Sequence, residues 1–435
     1  MSSQYFVPFR HCGFLASVAV FFCMTLFSGG LLADETVLTL QQSIEQALSG
    51  NPGIAEIKSR AEAIAAIPSQ EGALPDPTLS FGMLNVPTRS FNLQKEDMTM
   101  IEMGLSQTIP FPGKLALKEK AAEHEALAAA SSVEEARLRL AREVKKTWWL
   151  LHYYDHALKV TEETEKFFQQ LIDVAQAKYK TGQGSQQDVM MAQLELSKLK
   201  DEKLELTGMR HTETIQFNVL LNRKRELRVD LSGQMDTKLP ELADATLQEQ
   251  AMRSNPLFAQ HDNRLNAART KVELANKDYF PDVTVGSSYA FRQNAPDGAV
   301  RSDFLSVNLS INLPIYAQQK QSKAVDQRRS ELLQEQYSAQ DEHNKIHGEI
   351  SAKAAEYQHD KDRLALFQHE IIPQAEQTVR SLMAGYQVSN TEFSDLLRAQ
   401  LTLFQYQNQY WQALARTQQV LADLSALVGE ELVHD

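Results

Sequence analysis

The sequence predicts a mainly α-helical chain that also carries transmembrane β-structure, with four strands joined to a long coiled-coil helical body. Three observations predict it. Between Gly113 and Lys180 there is neither proline nor glycine. Four ribbons alternate apolar and polar residues with a period of two. The whole plan occurs twice, offset by 204 to 207 residues.

The repeat organises everything else. Asn51-Pro52 returns as Asn255-Pro256, Pro75-Asp76 as Pro281-Asp282, and Leu105-Ser106 with Pro110 as Leu309-Ser310 with Pro314. Late in each half, Tyr179, Asp188, Ala192, Gln193 and Leu194 correspond to Tyr386, Asp395, Ala399, Gln400 and Leu401. Each half reads as a helix, two strands, a very long helical stretch, a short turn and another long helix, giving six helical tracts and four strands. The expected divisions are residues 1–33 as an export signal, 34–230 as the first repeat and 231–435 as the second.

As one helix, the stretch from Gly113 to Lys180 would run roughly 100 Å at 1.5 Å per residue. Its counterpart from Ala317 to Ala384 is interrupted by Gly348 and Pro373, where a break or kink is expected. Leu396, Ala399, Leu403, Tyr406, Tyr410, Ala413, Thr417, Val420, Leu424 and Leu427 step by threes and fours, as a coiled-coil seam does. Val189, Ala192, Leu196, Leu199 and Leu206 carry the same phase in the first half, with Lys203 breaking the stripe.

The strands supply the membrane argument. Leu79, Phe81 and Met83 alternate with Thr78, Ser80 and Gly82, and Ile101, Met103 and Leu105 with Glu102, Gly104 and Ser106. Val283, Val285, Tyr289 and Phe291 form a third apolar face, and Leu305, Val307, Leu309, Ile311 and Leu313 a fourth. Runs of about ten residues suit tilted transmembrane strands whose polar side lines a lumen. Two loops, about 87–97 and 293–302, hold Pro87, Pro296 and Gly298 and suit exposed hairpin ends. Four strands cannot close a barrel, so sister chains must complete it; periodicity alone permits two chains with eight strands or three with twelve. A soluble sandwich or a soluble periplasmic coiled-coil protein is the competing reading.

Arg10 and His11 precede an apolar stretch from Cys12 to Leu32, with a small residue, Ala33, before Asp34, which reads as a cleavable export signal. Both cysteines fall inside it, so the mature protein is expected to be disulfide-free. A net charge of −12 without a basic stripe argues against nucleic acid as a partner. No nucleophile elbow, phosphate-binding glycine loop or carboxylate pair points to an enzyme, and no cofactor is expected. Met83, Met98, Met100 and Met103 would suit soft cations, but alternation splits them between faces. His152 with His156, and His343 with His347, lie four apart without a third ligand and read as exposed helix histidines.

Three segments in order carry a resemblance: Leu74-Pro75-Asp76-Pro77; Ser106 through Lys114, with Pro110, Pro112 and Gly113; and the two tips, Tyr179 to Ser185 and Tyr386 to Thr391. With them the chain resembles the TolC outer-membrane efflux family, its strands most the heavy-metal branch of CusC and CzcC. The resemblance implies a TolC-like homotrimer in outer-membrane lipid, sharing a twelve-strand barrel that continues as a helical tunnel across the periplasm. It further implies a periplasmic adaptor and an inner-membrane pump of the resistance-nodulation-division type, with heavy-metal cations or else drugs and toxins as cargo. Thr181, Gly182, Gln183, Gly184 and Ser185, with Val388, Ser389 and Asn390, would form the adaptor-contact tips. Asp188 and Tyr386 match positions of the closed gate, and Thr391 stands where an arginine is usual. Gly182 suits a left-handed turn residue, and Asn390 is its expected counterpart, since Ser389 replaces the usual glycine.

Overall fold

A computed structural model describes residues 37–232 and 239–432. The proposed export signal lies outside them. The first half begins with α1 (Leu40–Gly50), α2 (Pro52–Ala65) and α3 (Ile67–Gly72), then β1 (Thr78–Leu84) and β2 (Met100–Ile109). The 67-residue α4 (Lys114–Lys180) and α5 (Gln186–Leu220) complete it. The second half follows the same order with α6 (Asp244–Ser254), α7 (Pro256–Lys277), β3 (Val283–Phe291), β4 (Phe304–Ile311), α8 (Gln321–Leu366), α9 (Ile372–Gln387) and α10 (Phe393–Val428).

The six expected helical tracts are thus divided more finely, and the sequence shows where. Asn51 and Asn255 each cap the helix that starts at the following proline, accepting from the backbone N–H of Gly53 and Leu257 at 2.8 Å. Each asparagine also reaches the end of the last helix in its own half, Asn51 donating to the Leu220 carbonyl and Asn255 to that of Leu427. Between α8 and α9 the backbone forms a π-turn over Phe367–Ile371, just ahead of Pro373. Proline offers no N–H to the preceding turn, and the helix absorbs the fault there. Gly348 causes no break, because a lone glycine costs only about 1 kcal/mol of propensity within a packed helix.

The coiled-coil phase is the one expected. Leu396, Leu403, Ala413, Thr417, Val420 and Leu424 of α10 are buried, as are Ala192, Leu199 and Leu206 of α5. Around the tips, Phe168, Leu171, Ile172, Ala175, Val379, Phe393 and Leu396 share one apolar cluster. Lys203, the break in the stripe, pairs with Glu162 at 3.0 Å and Glu165 at 3.4 Å on α4. No helix among the described residues is long and apolar enough to cross a membrane.

The four strands form one antiparallel sheet in the order β1-β2-β3-β4. Leu79 faces Leu105, Leu105 faces Ser287, and Ser287 faces Val307. The outer edges of β1 and β4 have no partner within the described residues.

Candidate functional site

Two places hold unusual chemistry: the outward face of the sheet and the far ends of the helical hairpins. On the sheet, large apolar side chains point to solvent. Phe81 is 76% exposed and Val307 74%, and Leu79, Met83, Met103, Leu105, Leu305, Leu309 and Ile311 are exposed beside them. The opposite face carries Ser80, Gly104, Ser106, Gly286, Ser288 and Asn308 in register. A soluble sheet buries its oily face; this one presents it, as a surface solvated by lipid does. That observation removes the sandwich reading. Met103 stands on the oily face while Met100 is buried, so the methionines do not converge.

Where β2 gives way to α4, Gly113 takes a left-handed φ of 89°. Lys114, buried, donates to Asp282 at 3.0 Å and to the Phe280 carbonyl at 3.1 Å, with Asp278 at 3.3 Å. Phe111 stacks on Phe280 at 4.5 Å, and its N–H bonds Asp282. At the other end of the strands, Arg301 donates to the Gln94 carbonyl and the Asp97 carboxylate, fastening one hairpin loop to the other.

The two hairpin tips share one backbone device. After α4, the Gly182 N–H bonds the Tyr179 carbonyl and the Gln183 N–H bonds that of Lys178, with Gly182 at φ 74°. After α9, the Ser389 N–H bonds the Tyr386 carbonyl and the Asn390 N–H bonds that of Gly385. Both are Schellman turns. The left-handed residue of the second is Ser389, at φ 63°, and not Asn390 as expected. The hydrogen-bond pattern fixes the position, so serine adopts the conformation although asparagine would adopt it more easily.

Of the residues expected at a gate, Asp188 sits in the first turn of α5. Its backbone N–H donates to Ser185 Oγ at 3.1 Å, and the Ser185 hydroxyl donates to its carboxylate at 2.8 Å. Tyr386 is buried and its hydroxyl has no partner among the described residues. Burial and then the Asp188 charge push the phenol up to about 12. No direct hydrogen bond joins the phenol to Asp188. Thr391 packs against Gly385, so closely that a β-carbon there would strike its hydroxyl. Thr181 to Ser185 and Val388 to Asn390 form the turns themselves; all are exposed except the half-buried Gly184.

Sequence reasoning missed Lys178. Only 9% exposed, it donates from Nζ to Ser389 Oγ at 2.7 Å and lies 4.7 Å from the centre of the Tyr386 ring. It is the one side chain that bonds the first tip to the second among the hydrogen bonds described. The histidines need correction too. His152 is buried against Trp148 and Trp149, which lowers it to about 4, and His156 stacks on Trp411 at 3.6 Å. His343 and His347 bring their Nε2 atoms within 3.1 Å, yet no group of three potential ligands occurs among the described residues.

Relatives agree with this picture. Over 395 residues the chain is 21% identical to the cobalt-zinc-cadmium resistance protein CzcC of Cupriavidus metallidurans, covering 90% of both. An uncharacterised protein of Haemophilus influenzae is 24% identical and the toxin and drug export protein A of Aggregatibacter actinomycetemcomitans 21%. The chain spans about half the length of these two relatives, 47% in each case. Among solved structures, the transmembrane channel CusC superposes with a TM-score of 0.76 at 17% identity, covering 90% of this chain and 92% of that one. The open-state outer membrane channel MtrE of Neisseria gonorrhoeae gives 0.75 at 17%, covering 91% and 90%. These likenesses show the TolC-like fold. The family model for outer membrane efflux proteins matches residues 43–223 and 247–430, so the chain belongs to the outer membrane efflux protein family.

Proposed function

We propose that three copies of this chain close a twelve-strand barrel and extend it as a helical tunnel, passively conducting cargo delivered by a periplasmic adaptor and an inner-membrane pump of the resistance-nodulation-division type. The observation that carries the reading is the outward oily face of a sheet whose two edges are unpaired among the described residues. In hydrocarbon an open edge leaves backbone groups unsatisfied at several kcal/mol each, so only closure by sister chains is tolerable. Residues 1–33 act as the export signal, and 34–230 and 231–435 are the two structural repeats. Asp188, Tyr386 and Thr391 belong to the periplasmic gate. Thr181 to Ser185 and Val388 to Asn390 meet the adaptor.

Heavy-metal cations such as copper or silver are the cargo this reading favours, supported by the full-length similarity to a metal resistance protein. A drug or toxin duct is the second reading, supported by the half-length similarity to an export protein. Deleting the gene and measuring growth against copper, silver, zinc and a panel of detergents and dyes separates them. Sensitisation confined to the organic compounds refutes the metal reading. Channel function itself is tested by planar-bilayer conductance of the purified protein, which should be a stable detergent-dependent oligomer; a detergent-free monomer would overturn it.

A further inference from the structure

The internal repeat supplies a template for a seam that a single chain cannot show. Within the chain, the last strand of the first half meets the first strand of the second half, β2 against β3. Between sister chains the equivalent meeting is β4 against β1. The counterparts follow from two anchors: Pro75-Asp76 before β1 matches Pro281-Asp282 before β3, and Leu105-Ser106 in β2 matches Leu309-Ser310 in β4. The hairpins test this correspondence independently. It maps Leu79 onto Val285 and Leu105 onto Leu309, and the observed partners are Leu79 with Leu105 and Val285 with Leu309.

We propose that β4 joins β1 of the partner subunit in antiparallel register with Leu309 opposite Phe81 of the partner subunit, copying Leu105 opposite Ser287. Ser310 then faces Ser80 of the partner subunit, and Ile311 faces Leu79 of the partner subunit. The inference rests on the reading that sister chains close the barrel, and specifies the seam that closure makes. Every residue of β1 gains a partner between Ser306 and Asn312. Apart from Leu84 at the loop end of β1, apolar residues stay on the lipid face and small or polar ones on the lumen face, as a register displaced by one would not allow.

The joint below the strands repeats the logic. Phe111, stacked on Phe280, has Ile315 as its counterpart, and Phe280 has Leu74. Both are exposed here, Ile315 at 75% and Leu74 at 55%. In the seam, Ile315 covers Leu74 of the partner subunit, which accounts for two large apolar side chains outside the strands that the single chain leaves bare. The helices follow suit: α4 packs on α7 within the chain, and α8 takes the place of α4 against α2 of the partner subunit.

Paired cysteines test the register. In a chain with Cys12→Ser and Cys23→Ser, two variants are made: Leu309→Cys with Phe81→Cys, and Ser310→Cys with Ser80→Cys. Neighbouring positions along an antiparallel ladder alternate in Cα separation, so one variant presents the close pair that oxidises directly. Mild oxidation should convert the monomer band into a covalent closed oligomer on a non-reducing gel. Controls pair Leu309→Cys with Leu79→Cys or with Met83→Cys; a displacement of two puts the cysteines about 7–8 Å apart, too far to bridge. An intact oligomer, seen by native mass spectrometry in detergent, that crosslinks through a control pair or through none overturns the register and leaves the assembly reading standing. A wild-type chain that is monomeric in detergent overturns both.

Discussion

Replacing Lys178 by methionine should loosen the hairpin tips, and the structure fixes how much. The substitution keeps the buried stem and removes the ammonium, with its bond to Ser389 Oγ at 2.7 Å and its place over the Tyr386 ring. Ser389 is exposed, so its hydroxyl turns to water and no buried orphan is left. The net loss is therefore the modest worth of the bond, about 1 kcal/mol, plus about 0.5–1 kcal/mol for the cation–π contact, reduced by the desolvation the ammonium no longer suffers. A total of about 1–2 kcal/mol shifts a two-state equilibrium by roughly 5–30-fold. In planar bilayers the open fraction of the variant should rise within that range, and amide exchange should quicken at both tips, residues 181–185 and 388–391. Lys178→Arg retains a donor and a cation and should restore part of the effect. Unchanged conductance together with unchanged exchange in Lys178→Met would refute the idea that this side chain ties the tips.

Doubling the change at the proposed gate, Asp188→Ala with Tyr386→Phe, should likewise raise single-channel conductance; an identical conductance would refute a gating role for these residues. Gly182→Ala and Gly429→Ala share a positive φ, 74° and 89°, but differ in surroundings. A β-carbon at 182 meets nothing, so the cost is left-handed strain of about 1–2 kcal/mol; at 429 it would lie 2.5 Å from the Ser254 carbonyl oxygen, and thermal melting should show the larger loss there. Asn255→Ala removes a cap and a buried bond to Leu427 and should cost about 2–3 kcal/mol, more than Asn51→Ala at its half-buried counterpart, read from denaturation midpoints. His152 is held at about 4 by burial, whereas the unfolded chain takes up the proton near 6.5. Stability is therefore fully present above pH 6.5 and falls by roughly 2–3 kcal/mol by pH 4.5, a slope that His152→Leu should flatten.

What the sequence disclosed and what it withheld divide along a physical line. The strands, the 67-residue helix and the α10 seam were legible because each is written in local periodicity, which burial merely reads out. Pro373 announced a fault for the same reason: its missing N–H is a property of one residue. Lys178 was not legible, because nothing in Ala177-Lys178-Tyr179-Lys180 separates one lysine from the other. Its burial comes from Tyr386 and Ser389, more than 200 residues away. His152 was misread as exposed for a similar reason: its neighbours Trp148 and Trp149 are local, but the Phe217 that packs on Trp148 comes from α5, and spacing along α4 does not show that this face is covered. At the second tip the turn pattern was foreseen and its left-handed residue was not, because intrinsic preference ranks asparagine above serine while the carbonyls of Gly385 and Tyr386 decide the register.

Charge placement along the strands sets the height of the apolar band. Below it stand Lys114, Lys277, Asp278 and Asp282, bound to one another at the strand-to-helix joint or stacked near it. Above it stand Arg292, Asp303, Arg301 and Asp97, joined across the loops, with the Tyr289 hydroxyl donating to Asp303 at 2.7 Å. Between the two levels the outward face carries no charge; Glu102 points inward, opposite Gly82 and Ala290. Nine residues of β3 span about 30 Å at 3.4 Å per residue, and a tilt of about 40° reduces that to roughly 23 Å. An apolar band about 25 Å tall is what outer-membrane barrels present. The pairing of Lys114 with Asp282 ties the start of α4 to the start of β3, and in a barrel closed as proposed it stands at the edge of this apolar band.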